Sequence, residues 1–194
     1  MNLSKLFKIQ KQLDERIVKE KGLEGQDLLD KKILALQVEL GELANEWRGF
    51  KFWSHDQEPR TEVPDFETWK KNGHKTYKGK PIMHFKNPLL EEYVDCLHFI
   101  LSIGNELGCQ NVKIDSDYTE GDAVDTFNLL FYTASETWTY IDSNLESYLK
   151  THFGILLAIF IGLGEKHLGF TWEQVEQAYL AKNKINHERL ESGY

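Results

Sequence analysis

The four prolines of this 194-residue chain all lie within residues 49–88. On both sides of that stretch, apolar residues recur at helical spacing, beginning with residues 3–21. Because the stretch also carries several glycines, we predict a long loop or a small subdomain there. Within it, the pattern KTYKGKPIMHF predicts a small hairpin around Lys78-Gly79-Lys80. The sequence therefore predicts an all-α protein with one non-helical insertion near residues 49–88.

The apolar patterns outside the insertion predict six helices in a single domain, residues 1–194. Their approximate ranges are 3–21, 27–48, 88–107, 119–139, 143–167 and 171–189. Gly108 ends the third pattern and Gly169 the fifth. Thr171 followed three residues later by Gln174 is a capping-box pattern at the start of the sixth helix. The predicted architecture is a helical bundle.

Composition argues against several classes of protein. The chain has 23 Lys and Arg against 31 Asp and Glu, a net charge of −8, whereas non-specific nucleic-acid binding needs a basic surface. Cys96 and Cys109 cannot form a disulfide scaffold, which indicates a reducing cytoplasm. The N-terminal segment lacks a signal-peptide core. The apolar run 153–164 is too short to span a bilayer, so we expect no membrane partner and a helix in the core or at a subunit interface.

Two short carboxylate pairs lie on the predicted apolar helices. Glu39 and Glu42 form Glu-x-x-Glu on the second helix, and Glu92 and Asp95 form Glu-x-x-Asp on the third. Residues three apart share a helix face, so each pair aims two carboxylates in one direction. Four carboxylates that converge would form an oxygen-only site suited to Mg²⁺, or to Mn²⁺. A single pair of this kind is more often a solvated face, but two pairs on apolar helices favour the metal site.

Two further patterns admit more than one interpretation. His98 follows Asp95 by three residues, but this di-iron motif occurs only once near the carboxylates, so a packed or hydrogen-bonded histidine is favoured. Lys182, Asn186 and Arg189 share one face of the last helix. The two cations could bind phosphates and the amide could bind a base. Alternatively, they form a solvated basic helix end.

The motifs taken in order resemble the dimeric dUTPases, which belong with MazG-like enzymes to the all-α NTP pyrophosphatase group. The motifs are Gln-x-x-Leu-Asp (Gln10 to Asp14), Glu-x-x-Glu (Glu39, Glu42), Phe-Lys-Phe-Trp (Phe50 to Trp53), Glu-x-x-Asp-x-x-His-Phe (Glu92 to Phe99) and Lys-x-x-x-Asn-x-x-Arg (Lys182 to Arg189). The carboxylate pairs are common to the wider group. The early Gln and the last motif point to the dUTPase branch. The connection between the two carboxylate pairs looks longer than the family's minimal one.

The resemblance implies a helical homodimer that hydrolyses dUTP, and also dUDP, to dUMP by Mg²⁺-activated water. It assigns metal binding to Glu39, Glu42, Glu92 and Asp95, with Glu39 or Glu42 acting on the attacking water. It assigns uracil binding to Gln10 and Asn186, deoxyribose contact to Phe99, phosphate contact to Lys182 and Arg189, and closure over the site to Trp53. From the residues alone, Trp53 could equally anchor its loop on the core.

Two other functions are compatible with the same residues. The chain could be a MazG-like or dCTP pyrophosphatase that acts on another nucleotide. It could also be a non-catalytic helical interaction protein whose acidic pairs lie on the surface. A panel of nucleotides tests the first alternative, and a measurement of Mg²⁺ binding tests the second.

Overall fold

The helices of the computed structural model follow the predicted order. The structure describes residues 2–112, 114, 119, 121–140 and 146–193. Its α-helices are α1 (Leu3–Glu20), α2 (Leu29–Trp47), α3 (Phe66–Lys71), α4 (Pro88–Glu106), α5 (Ala123–Thr139), α6 (Glu146–Gly162) and α7 (Trp172–Glu191). A π-helical segment, Leu163–His167, continues α6. The all-α fold is confirmed. The predicted start of the fourth helix at residue 119 is too early, because Asp122 caps α5, and residues 143–145 of the fifth prediction lie outside the described residues.

Local capping chemistry sets several helix ends. The Asn87 side chain caps α4, and Pro88 occupies the first turn, where its missing N–H costs nothing. Thr171 and Gln174 form the capping box predicted for α7. Helix α2 ends at Trp47 and is capped by Arg48, whose φ of +67° is the left-handed conformation common just after helix C-termini. Each end follows from a few neighbouring residues.

Helix α4 is central to the packing because it contacts α1, α2 and α7. Its residues Leu97 and Ile100 are fully buried, as are Leu36 and Leu40 of α2. Helix α5 packs between α2 and α6. This burial of apolar surface is the main favourable contribution to the stability of the fold.

The apolar run 153–164 lies in the core. Phe153, Leu156, Ile159 and Phe160 are fully buried, and the Phe160 ring stacks on Tyr93 of α4 with ring centroids 4.2 Å apart. The prediction of a buried helix is confirmed. The alternative that this run supplies a subunit interface is wrong, because its own chain already covers these side chains. Ser147–His167 is long and apolar enough to cross a membrane, but it is mostly buried, as expected of a core helix.

The insertion between α2 and α4 contains two small antiparallel sheets. In one sheet β1 (Val63–Pro64) pairs with β4 (Phe85–Lys86), and in the other β2 (Thr76–Tyr77) pairs with β3 (Lys80–Pro81). Lys78 and Gly79, both with positive φ, form the turn of the second hairpin. The predicted hairpin is therefore confirmed.

The insertion is not wholly non-helical, however. Helix α3 occupies six of its residues, and Asp65 caps it by accepting a hydrogen bond from the Thr68 N–H. The Asp65 cap was the available signal for this helix. A two-turn helix is too short for apolar periodicity to reveal it.

Candidate metal and nucleotide site

Three carboxylates converge where α2 packs against α4. One carboxylate oxygen from each of Glu39, Glu92 and Asp95 lies within 4.8 Å of the others. All three side chains are half-buried. The buried residues Leu36 and Leu40 hold the Glu39 face of α2 against α4. One member of the first predicted pair, Glu39, therefore faces both members of the second pair across a helix–helix contact.

Glu42 is the one predicted ligand outside this close group. It lies one turn after Glu39 on α2, and its side chain is exposed. Its charge still reaches the cluster, because it contributes to the raised pKa of Glu92. The structure thus places Glu42 at the rim, within electrostatic range of the three converging carboxylates.

The cluster carries more negative charge than its surroundings neutralise. Burial, and then the charges of Asp95, Glu42 and Glu39, raise the pKa of Glu92 from 4.5 to about 7. Burial, and then the charges of Asp95 and Glu42, also raise the pKa of Glu39. Lys182 partly compensates, since its Nζ lies 2.5 Å from Oδ2 of Asp95. A group of carboxylate oxygens whose negative charge is only partly compensated fits Mg²⁺ or Mn²⁺ well.

A cavity of about 470 Å³ adjoins the carboxylates. This volume lies in the range typical of small-molecule sites. Among the residues predicted from sequence, the cavity is lined by Gln10, Glu39, Asp95, Phe99, Lys182, Asn186 and Arg189. The last three come from one face of α7, as their spacing predicted. Residues from the first, second, fourth and last α-helices thus meet at one cavity.

Trp53 does not line this cavity. Its side chain is 65% exposed, and its ring contacts Phe50 and Phe52 edge-on, with centroid separations of 5.7 and 5.0 Å. Arg48, five residues before Trp53, fixes the base of the loop by donating from Nη2 to the Asp56 carbonyl and carboxylate. In this conformation the indole packs within its own loop.

Gln10 is buried, although an isolated glutamine is usually exposed. Its Oε1 accepts a hydrogen bond from the Tyr179 hydroxyl at 2.8 Å and lies 2.7 Å from Nδ1 of His98. Its Nε2 donates to Oδ1 of Asp14 at 2.7 Å, and Ser102 donates to the other Asp14 oxygen at 2.8 Å. Sequence reasoning missed this network. The available signal was the four-residue spacing of Gln10 and Asp14 within an apolar helix face.

His98 is a packed, hydrogen-bonded side chain, as its pattern predicted. Its ring stacks on Tyr179 with centroids 4.2 Å apart. Burial, and then the charge of Lys182, lower the pKa of His98 to about 3, so the ring is neutral. Because Oε1 of Gln10 can only accept, the proton of His98 lies on Nδ1.

The fold and the site define an all-α protein with a carboxylate cluster, suited to a divalent cation, beside a cavity that also carries Lys and Arg. The family model described as dUTPase matches residues 2–69 and 62–194, which together cover nearly the whole chain. The chain therefore belongs to the all-α dUTPase family, a family of nucleotide hydrolases. No curated protein matches it.

Proposed function

We propose that this protein is a dUTP diphosphatase that hydrolyses dUTP to dUMP and pyrophosphate, and also acts on dUDP. The observation that carries the proposal is the shared cavity. Glu39 and Asp95 of the carboxylate cluster, two cations suited to phosphates, and the buried Gln10 amide suited to a base all line its walls. Membership of the dUTPase family supports the same substrate class.

In this proposal Glu39, Glu92 and Asp95 hold Mg²⁺, or Mn²⁺, and Glu42 completes the set from the rim. When bound, a divalent cation neutralises phosphate charge and lowers the pKa of water. Glu39 lines the cavity, so it can orient the attacking water or accept its proton, with Glu42 as the alternative base. Water then adds across the bond between the α- and β-phosphates.

The remaining cavity residues bind the nucleotide. Lys182 and Arg189 contact the phosphates, which explains how a protein of net charge −8 receives a polyanion. Asn186 and Gln10 hydrogen-bond to uracil, and Phe99 crowds the 2′ position of the sugar. Trp53 closes over the base. Because Trp53 lies outside the cavity, its closure requires movement of its loop.

We also propose that the enzyme is a cytoplasmic homodimer. Because most side chains of residues 153–164 are buried within the chain, we propose a subunit contact elsewhere on the surface. Leu34 and Val38 are 63% and 52% exposed and lie four residues apart on one face of α2. Exposed apolar residues grouped in this way are candidates for a subunit contact. Leu34→Glu with Val38→Glu should shift a dimer towards monomer in sedimentation.

The decisive experiment is a hydrolysis panel of dUTP, dUDP, dCTP, dTTP and UTP, each with and without Mg²⁺. We expect Mg²⁺-dependent release of dUMP from dUTP and dUDP, with slow or no turnover of the other nucleotides. Equal cleavage of dCTP would favour a broader pyrophosphatase of the MazG-like or dCTP type. Absence of both turnover and Mg²⁺ binding would favour a non-catalytic interaction protein.

A further inference from the structure

The Gln10 carboxamide has a defined orientation. Its Oε1 faces the Tyr179 hydroxyl and Nδ1 of His98, and its Nε2 faces the carboxylate of Asp14. An amide rotated by half a turn would place Oε1 against an Asp14 oxygen, where two acceptors would repel. Both Asp14 oxygens already accept hydrogen bonds, one from Gln10 and the other from Ser102, so the group acts as an acceptor at both atoms although burial raises the pKa of this carboxyl.

This orientation decides what the amide can offer to a ligand. Oε1 has two lone pairs, and two donors occupy them. Nε2 has two hydrogens, and Asp14 accepts one of them. Among the described residues, no side chain or backbone group accepts the second Nε2–H of Gln10. Because Gln10 lines the cavity and its Oε1 is already occupied, this N–H is the polar group of the amide that is still available to a substrate.

We propose that Asp14 and Tyr179 are specificity-determining positioning residues, which hold Gln10 so that it presents only a hydrogen-bond donor, directed at the 4-oxo group of uracil. The inference rests on the proposed dUTP diphosphatase activity and deepens it. Neither residue needs to touch the substrate. Each acts through the Gln10 carboxamide, from its own end of that group.

The chemistry of the pyrimidines makes this orientation selective. Uracil carries a carbonyl acceptor at position 4, whereas cytosine carries an amino group that donates. A donor N–H held towards position 4 would pair with uracil and oppose the cytosine amino group. A buried polar group left unpaired costs about 1–3 kcal/mol, or roughly 5- to 150-fold in kcat/KM.

The test compares Asp14→Asn and Tyr179→Phe with wild type on dUTP and dCTP. An asparagine at position 14 can donate as well as accept, so both amide orientations become acceptable. We expect each variant to lower the ratio of kcat/KM for dUTP over dCTP by about tenfold. Tyr93→Phe is the matched control. Tyr93 is equally buried, also stacks on an aromatic ring, and donates its hydroxyl hydrogen bond to the Phe160 carbonyl instead.

A second measurement reports on the fixed orientation of the Gln10 carboxamide without any substrate. The measurement is ¹⁵N relaxation of the side-chain NH₂ groups, with the Gln10 signal assigned by its loss in Gln10→Ala. Rotation about the Cγ–Cδ bond should be more restricted for Gln10 than for the exposed Gln177. Asp14→Asn should accelerate it, and Tyr93→Phe should not. The inference is overturned if the folded Asp14 and Tyr179 variants lose activity but keep the wild-type dUTP-to-dCTP ratio. If the wild-type protein cleaves no dUTP although NMR shows the Gln10 amide held in one orientation, the proposed function fails instead.

Discussion

Replacing Lys182 with methionine should tighten Mg²⁺ binding in the absence of nucleotide. The ammonium of Lys182 lies 2.5 Å from Oδ2 of Asp95, so it already occupies part of the space in which a divalent cation would bind. Lys182→Met keeps most of the unbranched side chain and removes the charged ammonium. Mg²⁺ would then bind without having to displace the Lys182 ammonium.

The size of this effect follows from Coulomb's law. If the ammonium withdraws to about 6 Å from a divalent cation, the repulsion in a water-like dielectric is about 1.4 kcal/mol, or about tenfold in the dissociation constant. The side chains of Lys182 and Asp95 are only 22% and 19% exposed, so the effective dielectric is lower than that of water and this figure is a minimum. The same variant should hydrolyse dUTP more slowly, because a phosphate contact is lost.

Isothermal titration of Mg²⁺ into nucleotide-free protein at constant ionic strength measures the effect directly. Lys32→Met is the matched control. Lys32 lines the same cavity but pairs with Glu106 rather than with a carboxylate of the cluster. Unchanged or weaker Mg²⁺ binding in Lys182→Met, or equal tightening in Lys32→Met, would refute the competition between lysine and metal.

Other variants test the cluster, the packing and the assembly. Glu39→Gln and Asp95→Asn should each nearly abolish dUTP hydrolysis while the protein stays folded, because each removes an anionic ligand at almost constant size; near-normal turnover would contradict the metal site. Gly104→Ala should lower the free energy of unfolding in urea by about 1–3 kcal/mol, because the new Cβ would collide with the fully buried ring of Phe153. Thr171→Ala should cost about 1 kcal/mol in the same assay through loss of the α7 cap. Sedimentation at micromolar concentration should show a dimer, and a monomer would count against the proposed assembly.

The sequence by itself determined the features that depend on neighbouring residues. Helical periodicity located the long helices. The three-residue spacing of Glu92 and Asp95 put both in the carboxylate cluster, and the four- and three-residue spacings of Lys182, Asn186 and Arg189 put all three on the cavity. The Lys78-Gly79 turn followed from the conformations that short hairpins require. These predictions succeeded because helix geometry and turn chemistry act over a few residues, whatever the rest of the chain does.

Only the tertiary structure decided which of those faces meet and which groups are left in solvent. Lys182 and Asp95 are 87 positions apart, and Gln10 and Tyr179 are 169 apart, so no local pattern reveals either contact. Packing also placed the run 153–164 in the core rather than at an interface. Burial and partner choice depend on how distant helices pack, and a buried amide or carboxylate acquires its chemical role from those partners.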